Sequence, residues 1–149
     1  MKQFVFSLES VLGLREWEEQ VSRLEFNEIS SEVTLLEERI RNMENESAGV
    51  CEKWNAVHVE VFNRNDRLAL MGSVDALRLL KIETKASLKT ANLKREEALA
   101  KVTQAVRNKK VVENLKERRL EAYKVESILR EGLEIEDIYN ARRKRRGVS

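Results

Sequence analysis

"VTLLEERIRNMENESAGVCEKWNAVHVEV", residues 33–61, decides the fold. From Val33 the apolar residues recur at alternating steps of three and four: Leu36, Ile40, Met43, Val50, Trp54, Val57 and Val61, with Ser47 the one polar member. Such steps hold side chains on one stripe of an α-helix, and a sustained seven-residue repeat of the stripe is a coiled-coil seam. Towards the N-terminus, Leu14, Trp17, Val21 and Leu24 follow the same rule. The five-residue step from Leu24 to Ile29 predicts a stutter in the supercoil. Towards the C-terminus the stripe weakens. Leu70, Val74 and Leu77 open it, Leu88, Ala91, Ala98, Val102, Ala105 and Val112 continue it, and Leu115, Ala122, Leu129 and Leu133 carry it on. Other seam positions here are Lys, Arg or Thr, whose basic stems lie along apolar surface with their charges in water. The second helix is therefore expected to pack less tightly than the first.

Composition agrees with long helices. The chain has 149 residues, 36% of them charged, with five glycines and no proline. A compact domain needs many tight turns, and turns recruit Gly, Pro and Asn. Few turns and much Glu, Lys, Arg, Leu and Ala favour coiled coil. The 42% apolar content, periodically placed, argues against disorder. Cys51 is the single cysteine, so no disulfide can form within the chain. No apolar run reaches the roughly 18 residues of a membrane span, and Glu9 interrupts any secretion-signal core. The expectation is a cytoplasmic protein.

The two halves differ in sign. Residues 1–71 hold 8 Lys/Arg against 14 Asp/Glu, and residues 72–149 hold 20 against 12. Opposite charges favour antiparallel pairing within one chain, whereas a parallel homodimer would align like charges. The strongest turn signal is "RLALMGSVDAL", residues 67–77, where Gly72 suits a helix C-cap and Ser73 the next N-cap, with Asp75 in the first turn. "NRND", residues 63–66, is the alternative. The predicted fold is all-α: a monomeric antiparallel two-helix coiled-coil hairpin forming a single domain, 1–149. Its first helix runs over about 5–70, its turn over about 71–74, its second helix over about 74–143 and its basic tail over 142–149. Folding about Gly72 would set Trp54 against Leu88, Ile40 against Val102, Phe4 and Phe6 against Ile138 and Ile135, and Gly13 near Gly132.

Catalytic chemistry is missing from the sequence. His58 and Cys51 lie seven residues apart on one predicted helix, about 10 Å, too far for a nucleophile and its base. No carboxylate constellation, metal-ligand spacing or Gly-rich phosphate loop stands out. The reading is a non-enzyme without cofactor. The sharpest local feature is the run Arg142, Arg143, Lys144, Arg145 and Arg146. It reads as a solvated helix end favoured by the helix dipole, or as a site for an acidic protein partner. Nucleic acid is disfavoured, because no aromatic residues interleave the bases.

Three segments carry a family resemblance. "FVFSLESVLGLRE", Phe4 to Glu16, resembles the amino-terminal signature of the FliJ family, in which an aromatic pair leads into Leu-Glu-x-Val-Leu and a basic residue. "ENLKERRLEAY", Glu113 to Tyr123, and "EIEDIYNARR", Glu134 to Arg143, are similar to its later segments. Residues 45–67 carry no such signature. The resemblance implies an antiparallel coiled coil similar to the stalk of rotary ATPases, working in flagellar type III protein export. It implies binding to the hexameric export ATPase FliI, promotion of ring assembly, coupling to the export gate protein FlhA at the inner membrane, and, in some members, escort of substrate chaperones. Carried onto this chain, the ATPase-binding stalk end comprises Phe4, Phe6, Leu8, Ile138, Arg142, Arg143, Lys144, Arg145 and Arg146. Trp54, Val57 and Val61 are candidate gate contacts. Phe4 and Phe6 have a simpler use too, sealing the open end against Ile135 and Ile138. A virulence-type secretion stalk and a generic coiled-coil scaffold are the alternatives.

Overall fold

The computed structural model describes residues 3–57 and 63–147. Two helices make up the fold: α1, Glu9–Val57, of 49 residues, and α2, Arg64–Arg146, of 83. They pack antiparallel as an all-α hairpin, with no strand among the described residues. The contacts divide the chain into two compact units, one of Met1–Glu19 with Gln104–Ser149 and one of Gln20–Thr103.

The turn does not fall at Gly72. Residues 71–74 lie inside α2, and no described glycine has a positive φ. Ser73 is no cap: its hydroxyl donates to the Ala69 carbonyl at 3.0 Å, as a mid-helix serine does. An interior glycine costs only about 1 kcal/mol, and seam positions Leu70 and Leu77 on either side hold the helix together. The junction lies between Val57 and Arg64, next to the alternative NRND segment. Asn63 is the N-cap residue, its carbonyl accepting the Arg67 N–H at 3.2 Å, and Asp66 sits in the first turn where the dipole favours an acid. The helices are accordingly unequal in length.

This junction moves the register. In the Gln20–Thr103 unit, Lys81 pairs with Glu44 at 3.1 Å, Lys101 with Glu25 at 4.0 Å, and the Thr84 hydroxyl lies 4.0 Å from the Met43 sulfur. In the unit holding the termini, Lys109 pairs with Glu19 and Lys116 with Glu9, both at 2.9 Å. Each of these four ion pairs takes its acid from α1 and its base from α2, the complementarity read from the sequence. The expected pairs Trp54–Leu88, Ile40–Val102, Phe4–Ile138 and Phe6–Ile135 do not form, and Gly13 and Gly132 have nothing within 4 Å of an added Cβ.

The seam of α1 keeps one phase throughout: Leu12, Glu19, Phe26, Val33, Ile40, Ser47 and Trp54 recur every seven residues, and all are buried or half-buried. No stutter occurs. Leu14, Trp17 and Leu24 instead face solvent, at 51%, 60% and 64% exposure. The sequence offered two stripes; Leu12, Glu19 and Phe26 are inside, with Glu19 paired to Lys109, and of the other stripe only Val21 is half-buried. Across the seam α2 contributes small residues at the same spacing: Thr84, Ala91, Ala98 and Ala105 are all buried. Thr84 satisfies its hydroxyl on the Leu80 carbonyl at 2.7 Å. Large side chains of α1 thus fill against a small-residue face of α2.

Candidate partner-docking site

The aromatic pair near the N-terminus is part of the packing. Phe6 is 6% exposed, with Lys116 and Arg119 over its ring at 5.9 and 5.7 Å. The Phe4 ring meets Tyr123, centroids 5.5 Å apart. Arg119 also donates to the Ser7 hydroxyl at 2.7 Å, and the Leu8 carbonyl accepts the Leu12 N–H at the start of α1. These residues seal an end, but against the stretch of α2 around Lys116–Tyr123. Ile138 lies fifteen residues beyond Tyr123 along α2, about 22 Å at 1.5 Å per residue. The stalk-end residues expected together therefore separate into two groups on α2.

Past Tyr123 the positions that continue the α1-facing seam of α2 become mostly polar. Continuing the seven-residue spacing from Ala105 and Val112 gives Arg119 and Glu126, and from Lys116 and Tyr123 gives Arg130 and Asp137. Leu133, the next position after Glu126, is the one apolar residue among them, and it is exposed. From Ile128 to Gly147 every residue is exposed, so Leu129 and Leu133, at 63% and 62%, do not extend the seam. Yet this uncovered segment is rich in large apolar residues: Val125, Ile128, Ile135, Ile138 and Tyr139 are all more than half exposed. The last turn carries Arg143, Lys144, Arg145 and Arg146, cations suited to the negative helix pole. The uncovered segment thus joins large exposed apolar residues to a basic last turn. The stripe Val125, Ile128, Ile135 and Tyr139 was not picked out from the sequence. Its spacing was visible, but only the register shows that α1 leaves it bare.

The other candidate group lies in the Gln20–Thr103 unit. Trp54 is half-buried, with the Arg67 guanidinium 5.7 Å from its ring, and lines a mostly apolar hollow with Val50, Cys51, Met71 and Val74. Val61 and the side chain of Val57 lie outside the described residues, as does His58. No group of three or more His, Cys, Asp or Glu that could hold a metal occurs among the described residues. No described helix is long and apolar enough to cross a membrane.

The surroundings of Lys109 shift its ionisation. The hydrogen bond to Glu19 holds the Lys109 ammonium above its ordinary 10.5, against some desolvation and with help from the charges of Glu19, Glu113 and Glu16. A raised lysine pKa stabilises the fold fully below the unfolded value, and the benefit is lost as pH rises through the folded one. Lys109→Met should therefore lower the thermal midpoint at neutral pH more than Lys101→Met, because it removes a close partner of the buried Glu19 carboxylate, whereas the Lys101–Glu25 pair is exposed. The gap between Lys109→Met and the unmodified chain should close above pH 10.5. Melting curves across that range check both points.

Two long helices of unequal length, packed against each other, define a two-helix coiled-coil protein. The family described as "Flagellar FliJ protein" matches residues 4–146, nearly the whole chain. The chain belongs to the FliJ family and is a flagellar, export-related coiled-coil protein. No curated protein and no solved structure matches it.

Proposed function

We propose that the chain acts as a stalk for the flagellar export ATPase, with the uncovered segment of α2 as its docking element. The observation that carries this reading is the coincidence, on residues 124–146, of exposed apolar side chains with a run of five bases. Family membership supplies the context: a coiled coil of flagellar export needs a surface for its machinery. The apolar residues would enter a ring lined by apolar side chains, and the bases would meet an acidic mouth. Burial supplies affinity, while charge supplies steering and orientation. Promotion of FliI ring assembly follows if one segment touches several subunits at once. Phe4, Phe6 and Leu8 contribute by holding the base of that segment rather than by touching the ring.

Coupling to FlhA is assigned to the Trp54 hollow, on the apolar character of Val50, Met71 and Val74 around the indole. Escort of substrate chaperones and a place beside the inner membrane belong to the same reading. None of these roles requires catalysis by the chain or a cofactor.

ATPase stimulation measured against salt tests the proposal. Changing Arg142, Arg143, Lys144, Arg145 and Arg146 to Gln should weaken binding and flatten its salt dependence, because exposed charges are screened beyond about 8 Å at physiological ionic strength. Helicity should be unchanged. Equal stimulation by both proteins at every salt concentration would mean that the bases only finish the helix.

A further inference from the structure

We propose that the uncovered segment of α2 also binds its own counterpart in a second copy of this chain, antiparallel. This pairing stands whether or not the ATPase reading holds. Val125, Ile128, Gly132, Ile135 and Tyr139 follow steps of three and four and form a second seam. It is not the face that meets α1, whose positions in this stretch are Glu126, Arg130, Leu133 and Asp137. Gly132 has no reason within its own chain to be glycine, since an added Cβ would meet nothing within 4 Å. Opposite a second helix the missing side chain makes room for a large one.

The pattern reads the same in both directions. With Ile128 opposite Tyr139 of the second copy, Gly132 lies opposite Ile135 and Val125 opposite the aliphatic stem of Arg142. The next layer sets Glu121 against Arg146, once at each end. A parallel pair would instead stack Glu121 on Glu121 and Arg142 on Arg142, so charge selects the antiparallel arrangement. An anionic membrane surface is the other possible partner for a basic, apolar helix. It is disfavoured because Glu131, Glu134, Glu136 and Asp137 stand on the same segment. The contact, from Glu121 to Arg146, spans about 38 Å of helix and belongs with weak, reversible interfaces. It covers the face assigned to the ATPase, so a paired chain is a resting form and the two partners compete.

Sedimentation equilibrium of the full chain, from micromolar to near-millimolar concentration, tests the pairing without the ATPase. A reversible monomer–dimer equilibrium is expected. Ile135→Asp should weaken it by about tenfold or more, with circular dichroism unchanged because the residue touches nothing buried. Glu121→Arg and Arg146→Glu should each weaken it, and the double variant should recover much of the loss. A chain that stays monomeric throughout overturns the proposal. So does a dimer indifferent to all these changes, which would lie on another face. Binding to phosphatidylserine vesicles by a strictly monomeric chain would overturn it in favour of the membrane.

Discussion

Val33→Asp is expected to unfold the hairpin around it, costing about 3–5 kcal/mol as an uncompensated buried charge. Val33 is 1% exposed, the most deeply buried large side chain among the described residues. The facing seam of α2 is built from Thr84, Ala91 and Ala98, which offer no cation. An aspartate there must either stay protonated or open the seam to water. Domains are stable by only about 5–15 kcal/mol, so a loss of this size should be visible as a large fall in thermal midpoint. Leu35→Asp is the control, two residues away and 66% exposed. It should change stability by no more than about 0.5 kcal/mol. Equal effects at the two positions would mean that the seam has been assigned to the wrong face of α1.

The second large effect separates fold from function. Ending the chain after Tyr123 removes no buried residue, since none of residues 124–147 is buried. The hairpin should melt at nearly the same temperature as the intact chain, and Phe4 should keep its contact with Tyr123. Stimulation of the export ATPase should nevertheless be lost. Dividing the loss between apolar and basic contributions then needs only the five-Gln variant. If the shortened chain still stimulates, docking lies elsewhere, and the N-terminal residues Phe4 to Leu8 become the leading candidates.

Much of the architecture was legible in the sequence. The stripe from Val33 to Trp54 is the α1 seam as read, and Leu70, Val74, Leu77, Ala91, Ala98 and Ala105 lie on the α2 seam. Opposite charge on the two halves correctly foretold their pairing. The turn was misread because Gly72 and Ser73 look like caps, while a helix held at Leu70 and Leu77 absorbs both. That single error displaced every cross-helix pair and made the helices seem equal in length. The upstream stripe failed for a different reason. Leu14, Trp17 and Leu24 are a cleaner apolar pattern than Leu12, Glu19 and Phe26, and the Lys109 ion pair across the helices, which helps hold Glu19 inside, depends on the register. The docking segment was half legible: the bases were evident, but whether Leu129, Leu133 and Ile138 were covered depended on the register.

That register is the claim on which the uncovered segment rests, and paired spin labels measure it directly. In a Cys51→Ser background, labels at Glu25→Cys and Lys101→Cys should lie in close proximity within one chain, as the Lys101–Glu25 ion pair requires. The two sites are exposed, so labelling should leave the seam undisturbed. Diluting labelled with unlabelled chain should leave the short distance unchanged. A turn at Gly72 would instead put Glu25 beside Glu117. Proximity of labels at Glu25→Cys and Glu117→Cys, with those at Glu25→Cys and Lys101→Cys far apart, would contradict the register and cover the segment proposed to dock.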